Sequence, residues 1–327
     1  MGDFRQVFEI STDADFELQA LSVFQYQFQN NPVYRSFCTH LGASEDTVKQ
    51  LSEIPFLPIA FFKSKQIITT QSPSYTVFTS SGTTGTNTSK HYVSDTALYE
   101  ASYLSAFQLF YGTITDYCIL ALLPSYLERT GSSLIYMTED LIRKSEHPKS
   151  GFYLNDLPAL AKTLEELNEK GTPVLLIGVS FALLDLVETY RFTLKNTIVM
   201  ETGGMKGRRK EMIREALHDV LKKGLGVAKI HSEYGMTELL SQAYSKGDGI
   251  FRTPPWMKIQ IRDTEDPLSV QGIGKTGGIN IIDLANVHSC AFIATQDLGK
   301  LHPDNSFEIL GRFDHSDIRG CNLLVIE

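Results

Sequence analysis

The chain has 327 residues, of which 42% are hydrophobic and 21% charged, as in a soluble globular protein of one large domain or two moderate ones. Its formal net charge of -8 argues against a nucleic-acid-binding surface. It contains no apolar run of membrane-spanning length, and its first residues lack the layout of a signal peptide. Since its four cysteines include no Cys-x-x-Cys pair, we expect reduced thiols in a cytoplasmic protein, and neither a zinc site nor a redox dithiol.

The first 70 residues are predicted to be mainly helical. Apolar residues recur at mixed spacing from Phe16 to Phe28, and the turn Asn30-Asn31-Pro32 interrupts them. Pro55 and Pro58 close this region. We assign its aromatic side chains to core packing.

A loop rich in serine and threonine follows a short apolar strand at residues 75–78. Eight of the thirteen residues from Phe78 to Lys90 are serine or threonine, and two more are glycine. Small hydroxyls, backbone N–H groups and glycines that allow close approach suit a polyphosphate. The loop is not a Walker P-loop, because Asn87 and Thr88 stand where that motif has glycine and lysine. A flexible polar linker would have a similar composition.

Helices and apolar strands alternate through the middle of the chain, which predicts parallel βαβ units. Ser94-Asp95 caps a helix over residues 96–111. Asn155 or Asp156 caps another helix, which ends at Gly171. Further strands are predicted at 117–123, 174–179 and 198–200, and further helices through 183–186 and over 208–223.

Short strands recur in the last third of the chain, at 279–282, 291–294 and 307–310. The sequence therefore predicts three segments. These are a mainly helical region at 1–70, an α/β core at 71–249, and a mainly β subdomain with the C-terminal tail at 250–327.

Four motifs together resemble those of the adenylate-forming enzymes, which include acyl-CoA synthetases, luciferases and the adenylation domains of peptide synthetases. They occur in the order Ser80-Ser81-Gly82-Thr83-Thr84-Gly85, Tyr234-Gly235-Met236-Thr237-Glu238, Gln296-Asp297-Leu298-Gly299 and Gly311-Arg312-Phe313-Asp314. Gln296 and His315 depart from the family pattern. The resemblance implies an α/β fold with two doubly wound α/β subdomains and a small β subdomain. The family's small C-terminal domain is predicted to be absent, because the chain stops soon after Asp314.

One branch of that family fits best, namely the acyl-protein synthetases of the bacterial bioluminescence fatty-acid reductase system. Segments 122–131, 231–238 and 317–323 are similar to theirs. The resemblance implies that the chain activates a fatty acid with ATP to acyl-AMP and transfers the acyl group to a protein thiol. An acyl-CoA reductase-like protein would be the partner that receives it. The aryl-acid CoA ligases, which use an external thiol, are the rival branch.

The resemblance also assigns roles to individual residues. Thr237 and Glu238 match the positions that meet the α-phosphate and Mg²⁺. On local grounds alone, they could equally be the N-cap and first-turn acid of a helix. Asp297 matches a ribose-binding acid, and Arg312 matches a phosphate-proximal arginine; an exposed turn pair is the alternative for both. The predicted ATP-binding residues are Ser80, Ser81, Gly82, Thr83, Thr84, Gly85, Lys90, Gly203, Gly204, Tyr234, Gly235, Asp297 and Arg312.

The resemblance implies that Cys321 is the acyl acceptor, a role for which an ionised thiol is a good nucleophile. Arg319 and His315 would favour the thiolate, whereas Asp314 and Asp317 would oppose it. An inert thiol is the alternative.

A different class of enzyme is suggested by the segment from Ile177 to Ala182, which follows a strand and opens a helix as a nucleophile elbow does. Ala182 replaces the last glycine of the Gly-x-Ser-x-Gly pattern. An acyl hydrolase or transferase that uses Ser180 is therefore one alternative, and an inactive nucleotide-binding partner is another.

Overall fold

The computed structural model describes residues 4–69, 72, 74–80, 88–124, 130–203 and 212–312. Its helices are α1 (Asp13–Asn30), α2 (Pro32–His40), α3 (Phe61–Ser64), α4 (Thr96–Tyr111), α5 (Ser133–Lys144), α6 (Leu157–Glu169), α7 (Ser180–Thr189) and α8 (Arg214–Leu225). Its strands are β1 (Leu57–Pro58), β2 (Thr76–Thr79), β3 (Lys90–Val93), β4 (Cys118–Leu122), β5 (Gly151–Phe152), β6 (Val174–Val179), β7 (Thr197–Thr202), β8 (His231–Tyr234), β9 (Ala243–Ser245), β10 (Ile250–Arg252), β11 (Met257–Arg262), β12 (Thr276–Asp283), β13 (Phe292–Leu301) and β14 (Phe307–Arg312).

The chain divides into two compact units. Unit 1 contains Met1–Ser102, Thr237–Ser241 and Arg252–Glu327, and unit 2 contains Tyr103–Met236 and Gln242–Phe251. The chain thus passes from one unit to the other inside the Tyr-Gly-Met-Thr-Glu motif. The three segments expected from the sequence, with boundaries at 70 and 249, stay a prediction.

Unit 2 is built on a parallel sheet with strand order β5-β4-β6-β7-β8, and β9 lies antiparallel to β8. Every residue of β4 and β6 is buried, as expected for strands that helices cover on both faces. Helices α5 to α8 alternate with these strands along the chain. This arrangement confirms the α/β class that the sequence predicts.

Unit 1 is built differently. Strands β11 to β14 pair antiparallel in sequence order, β1 pairs parallel with β13, and β2 with β3 forms a separate hairpin. Among the described residues, parallel pairing in unit 1 is limited to β1, so this unit differs from the second doubly wound subdomain that we expected. The connections between β11 and β14 contain no α-helix in the described chain, and a parallel crossover needs a longer connection of that kind.

Helix α1 anchors the connection between β12 and β13. The side-chain amide of Gln27 donates to the carbonyl oxygens of Asn286 and Val287 at 3.1 and 2.9 Å, and its oxygen accepts from Ala291 N–H at 3.0 Å. Gln27 is fully buried, so these bonds satisfy backbone groups that water does not reach. The connection held in this way carries residues of the candidate site described below.

No helix in the described part of the chain combines the length and the apolar character needed to cross a membrane.

Asp156 is the N-cap of α6, since its carboxylate accepts from Ala159 N–H at 3.0 Å. Asp156→Ala should lower the free energy of unfolding by about 1 kcal/mol, because one backbone donor of the first turn loses its partner. Denaturant unfolding followed by circular dichroism would measure this change. Asn155→Ala is the matched control, and an equal loss in both variants would contradict the assignment of the cap to Asp156.

Candidate functional site

The base of the serine- and threonine-rich loop is closed by two serines of unit 1. Strands β2 and β3 form the hairpin that carries the loop, with Thr79 opposite Lys90. Ser80 N–H donates to Ser89 O at 3.1 Å, and Ser89 N–H donates to Ser80 Oγ at 3.0 Å. The predicted loop residues Ser81, Gly82, Thr83, Thr84 and Gly85 lie outside the described residues.

The side chain of Lys90, at the start of β3, lies on the opposite face of the strand from those of Ser89 and His91. Ser89 and His91 are buried, whereas Lys90 between them is exposed. Successive side chains of a strand point to opposite faces. Lys90 therefore lies on the opposite face of the hairpin from Ser89, and its predicted contact with phosphate stays a prediction.

Thr237 and Glu238 lie in a turn of unit 1 and do not start a helix. His91 Nδ1 is 2.8 Å from Thr237 O, and Asn286 Nδ2 donates to Glu238 O at 2.8 Å. His91 Nε2 is in turn 3.0 Å from Asn286 Oδ1. Burial lowers the pKa of His91 to about 4, while its hydrogen bonds to Thr237 and Asn286 act in the opposite direction. Nδ1–H donates to the Thr237 carbonyl, which can only accept.

Leu240 and Ser241, a few residues further along the chain, are held by Asp283, which is fully buried at the end of β12. Its carboxylate accepts from the N–H groups of Leu240 and Ser241 at 2.8 and 3.0 Å, and from Ser241 Oγ at 2.5 Å. Segment 237–241 is thus fixed by side chains from β3 and from the β12–β13 connection. We call this arrangement the His91–Asp283–Asn286 clasp.

Glu238 is the buried acid of the site, with 6% of its surface exposed. Burial raises the pKa of its carboxyl, while a hydrogen bond from the Ser89 side chain and the charges of Arg312 and Lys63 act in the opposite direction. Glu238 therefore meets the base of the predicted phosphate loop and lies within the field of two cations. The structure thus brings Glu238 of the second motif close to Ser80, the described residue of the first motif, through Ser89.

Asp297 and Arg312 lie directly opposite each other on β13 and β14. Arg312 Nε is 3.2 Å from Asp297 Oδ1, with the aspartate side chain 9% exposed and the arginine 75% exposed. Because the charge of Arg312 also acts on Glu238, the guanidinium serves two buried carboxylates. The third and fourth motifs thus join the same cluster, which consists of Ser80, Ser89, Glu238, Asp297 and Arg312.

In unit 2, Gly203 follows the carboxyl end of β7, and Tyr234 ends the neighbouring parallel strand β8, with Gly235 directly after it. This edge of an α/β sheet is the usual ligand side. Gly203 has φ +67°, a left-handed conformation that glycine adopts without strain. Gly204 lies outside the described residues.

Ser180 supports the Gly203 turn. Its Oγ donates to Gly203 O at 2.7 Å and is 3.2 Å from the Glu201 carboxylate. Positive φ outside glycine is found in the described chain only at Glu146, Asp248 and Asn305, so Ser180 lacks the strained conformation of a nucleophile elbow. These contacts favour a role in holding Gly203 in place over a role as nucleophile.

The described cysteines are poor nucleophiles. Cys38, Cys118 and Cys290 are buried free thiols. Burial raises the pKa of Cys38 to about 12 and that of Cys118 to about 11, and it raises the pKa of Cys290 as well. Thiolate formation is therefore suppressed at all three positions. Cys321 lies outside the described residues.

The donor chemistry in unit 1 fits a magnesium ion that arrives with a nucleotide. Mg²⁺ is commonly held by one or two carboxylates together with substrate phosphates, and Glu238 beside Ser89 offers such a carboxylate. In the described ranges, no group of three or more His, Cys, Asp or Glu side chains could hold a metal ion without such a substrate.

Four residues of this site were missed by the sequence analysis, namely Ser89, His91, Asp283 and Asn286. The strand alternation of Ser89 and His91 was the one available signal, because it places both on the same face. Asp283 and Asn286 belong to no motif that the sequence analysis used.

The chain is similar in sequence to one known ligase and in fold to several solved structures. No protein-family profile matches the chain. The long-chain-fatty-acid–luciferin-component ligase of Vibrio harveyi is 22% identical over 331 residues, which cover 92% of this chain and 84% of that protein. This relative confirms the predicted resemblance to the bioluminescence acyl-protein synthetases.

Solved structures share the fold. ATP-bound MatB from Rhodopseudomonas palustris matches with a TM-score of 0.54 and 18% identity over 72% of this chain, which spans 47% of the length of MatB. An open conformation of 2-hydroxyisobutyryl-CoA ligase, in complex with 2-HIB-AMP and CoA, matches with a TM-score of 0.68 and 14% identity over 93% of this chain and 75% of that one. These matches confirm the adenylate-forming ligase fold and, with the relative above, support an enzyme of the ligase type.

The raised pKa of Glu238 has a consequence for stability. The pKa of a glutamate carboxyl in the unfolded chain is 4.5, and burial in the folded protein raises the pKa of Glu238. The folded protein therefore binds a proton at Glu238 more tightly than the unfolded chain does. The free energy of unfolding should therefore fall as the pH rises from 4.5 through the raised value. Glu238→Gln removes this titration and should be more stable than the wild type at neutral pH, with the advantage lost below that window.

Thermal unfolding between about pH 4 and pH 8, without nucleotide or metal, would measure the difference. Glu265→Gln is the matched control, because it makes the same substitution at an exposed position. A Glu238→Gln variant that is less stable than the wild type at neutral pH would contradict the prediction.

Proposed function

We propose that this chain, which has the fold of the adenylate-forming ligases, activates a fatty acid by adenylation with ATP. The observation that carries the proposal is the cluster in unit 1, where Ser89 at the loop base, Glu238 and the pair Asp297–Arg312 come together. Two buried acids and one shared arginine beside the base of the loop are groups suited to a nucleotide with its metal. The relative's printed name supports a long-chain fatty acid as the substrate class.

In the first step, a carboxylate oxygen of the fatty acid attacks the α-phosphorus of ATP. The bond from that phosphorus to the bridging oxygen breaks, and acyl-AMP and pyrophosphate result. Negative charge on the phosphate oxygens is offset by Arg312 and by the loop N–H groups. Mg²⁺ held by Glu238 and the phosphates would supply further charge neutralisation.

The remaining residues orient the nucleotide. Asp297 accepts hydrogen bonds from the ribose hydroxyls through its carboxylate, which Arg312 holds from the neighbouring strand. Thr237 lies next to Glu238 and meets the α-phosphate. In unit 2, Ser180 fixes the turn at Gly203, because its Oγ donates to Gly203 O at 2.7 Å.

In the second step, a thiolate attacks the acyl carbonyl, a thioester forms and AMP leaves. We assign this thiol to Cys321, because Cys38, Cys118 and Cys290 are buried and have raised pKa values. An acyl-CoA reductase-like protein would then receive the acyl group. We place the protein in the cytoplasm, since the described cysteines are free thiols.

Glu238→Ala should reduce ATP–pyrophosphate exchange driven by long-chain fatty acids at least about a hundredfold, because the charge-stabilising metal loses its ligand. The exchange of labelled pyrophosphate into ATP, in the presence of Mg²⁺, measures this step. Glu265→Gln is the control and should keep wild-type exchange. Retained exchange in Glu238→Ala would remove this residue from the metal site, and no exchange in the wild type with any fatty acid would refute the proposed function.

Radiolabelled fatty acid with ATP and Mg²⁺ should place a hydroxylamine-labile label on the wild type and on Cys118→Ala. The label should be absent from Cys321→Ser, while acyl-AMP still forms in all three proteins. Denaturing gels and thin-layer chromatography would score the two products. Acyl-AMP without any protein label in the wild type would contradict the assignment of Cys321 and favour an external thiol such as CoA.

A further inference from the structure

Arg262, on β11, is a buried arginine that none of the motifs contains. It is 7% exposed, and its guanidinium donates to Ile279 O at 2.8 Å, to Asn280 Oδ1 at 2.9 Å and to Thr295 O at 2.5 Å. Burying a charged group costs free energy, so a guanidinium kept in a sheet needs a reason. The three acceptors belong to β12 and β13, and the reason is found where those strands are irregular.

The pairing of β12 with β13 shifts its register between Gly278 and Asn280. Such a bulge frees backbone groups from the ladder and changes the direction of nearby side chains. The carbonyl of Ile279 inside the bulge accepts from Arg262 and also from Thr295 Oγ1 at 2.9 Å. A second register shift lies between Leu298 and Gly299, on the β14 side. Asp297 therefore lies within one irregularity of β13, where residues 295–297 stand opposite Ile279 alone, and it precedes another.

Gly278 makes room for the guanidinium. A Cβ at this position would lie 2.5 Å from Arg262 Cζ and 2.8 Å from its Nε. Real Cβ atoms do not approach other atoms so closely. The guanidinium that this Cβ would meet cannot easily move away, because it donates hydrogen bonds to three acceptors. Glycine is thus required here for space beside Arg262.

Thr295 links this arrangement to Asp297. Its carbonyl accepts from Arg262, and its Oγ1 accepts from Asp297 N–H at 3.1 Å. Burial lowers the pKa of Arg262 to about 10, against the effect of the Asp297 charge, so the guanidinium stays charged at neutral pH. Asp297 consequently interacts with two arginines, the exposed Arg312 and the buried Arg262.

We propose that Arg262 is a positioning residue for Asp297, which holds the bulged backbone of β12 and β13 so that the Asp297 carboxylate faces the two ribose hydroxyls of ATP. This inference rests on the proposed nucleotide function. Arg262 itself touches no substrate; it acts through Thr295 and through its charge. A residue with this role controls selection of the ribose, whereas a residue that only stabilises the sheet affects all nucleotides alike.

The test compares pyrophosphate exchange with ATP, 2′-deoxy-ATP and 3′-deoxy-ATP. The wild type should prefer ATP by at least about tenfold in kcat/KM, the factor that one hydrogen bond to a charged group provides. Arg262→Lys keeps the charge but loses the planar fork of donors, and it should lose most of this preference. Gly278→Ala should have the same effect, because its methyl group displaces the guanidinium while every hydrogen-bonding group remains.

Asp297→Asn should abolish the preference, and the double variant Arg262→Lys/Asp297→Asn should be no less selective than Asp297→Asn alone, because coupled residues are not additive. The matched control is Arg252→Lys, which changes an arginine of the same unit that pairs with Asp304. This control should keep the full preference for ATP. Circular dichroism and thermal unfolding would verify that each variant is folded.

The outcomes separate the two proposals. If the wild type exchanges no pyrophosphate with any nucleotide, the proposed function is wrong. If the wild type is selective and Asp297→Asn is not, but Arg262→Lys and Gly278→Ala keep the preference, the proposed function stands and the role of Arg262 is wrong. An equal loss of activity with all three nucleotides in the Arg262 and Gly278 variants would also overturn the role, since it would indicate a structural residue only.

Discussion

The site depends on hydrogen bonds to the buried backbone N–H and carbonyl groups of segment 237–241. This segment carries Glu238 and lies in a turn, so no helix or strand provides partners for its N–H and carbonyl groups. The His91–Asp283–Asn286 clasp provides them from two distant parts of the chain. Gln27 of α1 in turn fixes the connection that carries Asn286. The acid of the site is thus placed by contacts between four segments of unit 1, and a defect in any of them would reach Glu238.

Charge balance is the second constraint. Glu238 and Asp297 are both buried, and neither is accommodated in a protein interior without compensation. One exposed arginine, Arg312, acts on both of them: it pairs with Asp297, and its charge also reaches Glu238. Lys63 also acts on Glu238, and Arg262 acts on Asp297, so each acid lies in the field of two cations.

Local signals predicted much of the fold. The helix expected at 96–111 is α4, the strand expected at 174–179 is β6, and the capping residue of α6 is one of the two proposed. These elements follow from periodicity and capping within a few residues. Helix α5 was missed, and the alternative of a helix start at Thr237 is not what the structure shows, because tertiary contacts hold that segment in a turn. The clasp could not be predicted, since His91 lies 146 residues from Thr237 and 195 from Asn286 along the chain. Of the predicted site, Ser80, Glu238, Asp297 and Arg312 come together in the described chain, whereas Lys90 faces away from Ser89.

Gly278 lies directly opposite Arg262 in the pairing of β11 with β12, so the residue types at positions 262 and 278 constrain each other. As long as position 262 holds an arginine, position 278 has no room for any side chain, and the reverse also holds. Gly278 cannot then be exchanged alone without displacing the guanidinium that holds Thr295 of β13. Across related sequences, the two positions should therefore vary as a pair: a chain with alanine or a larger residue at 278 should have a short side chain at 262, and it would have to align its acid by other means.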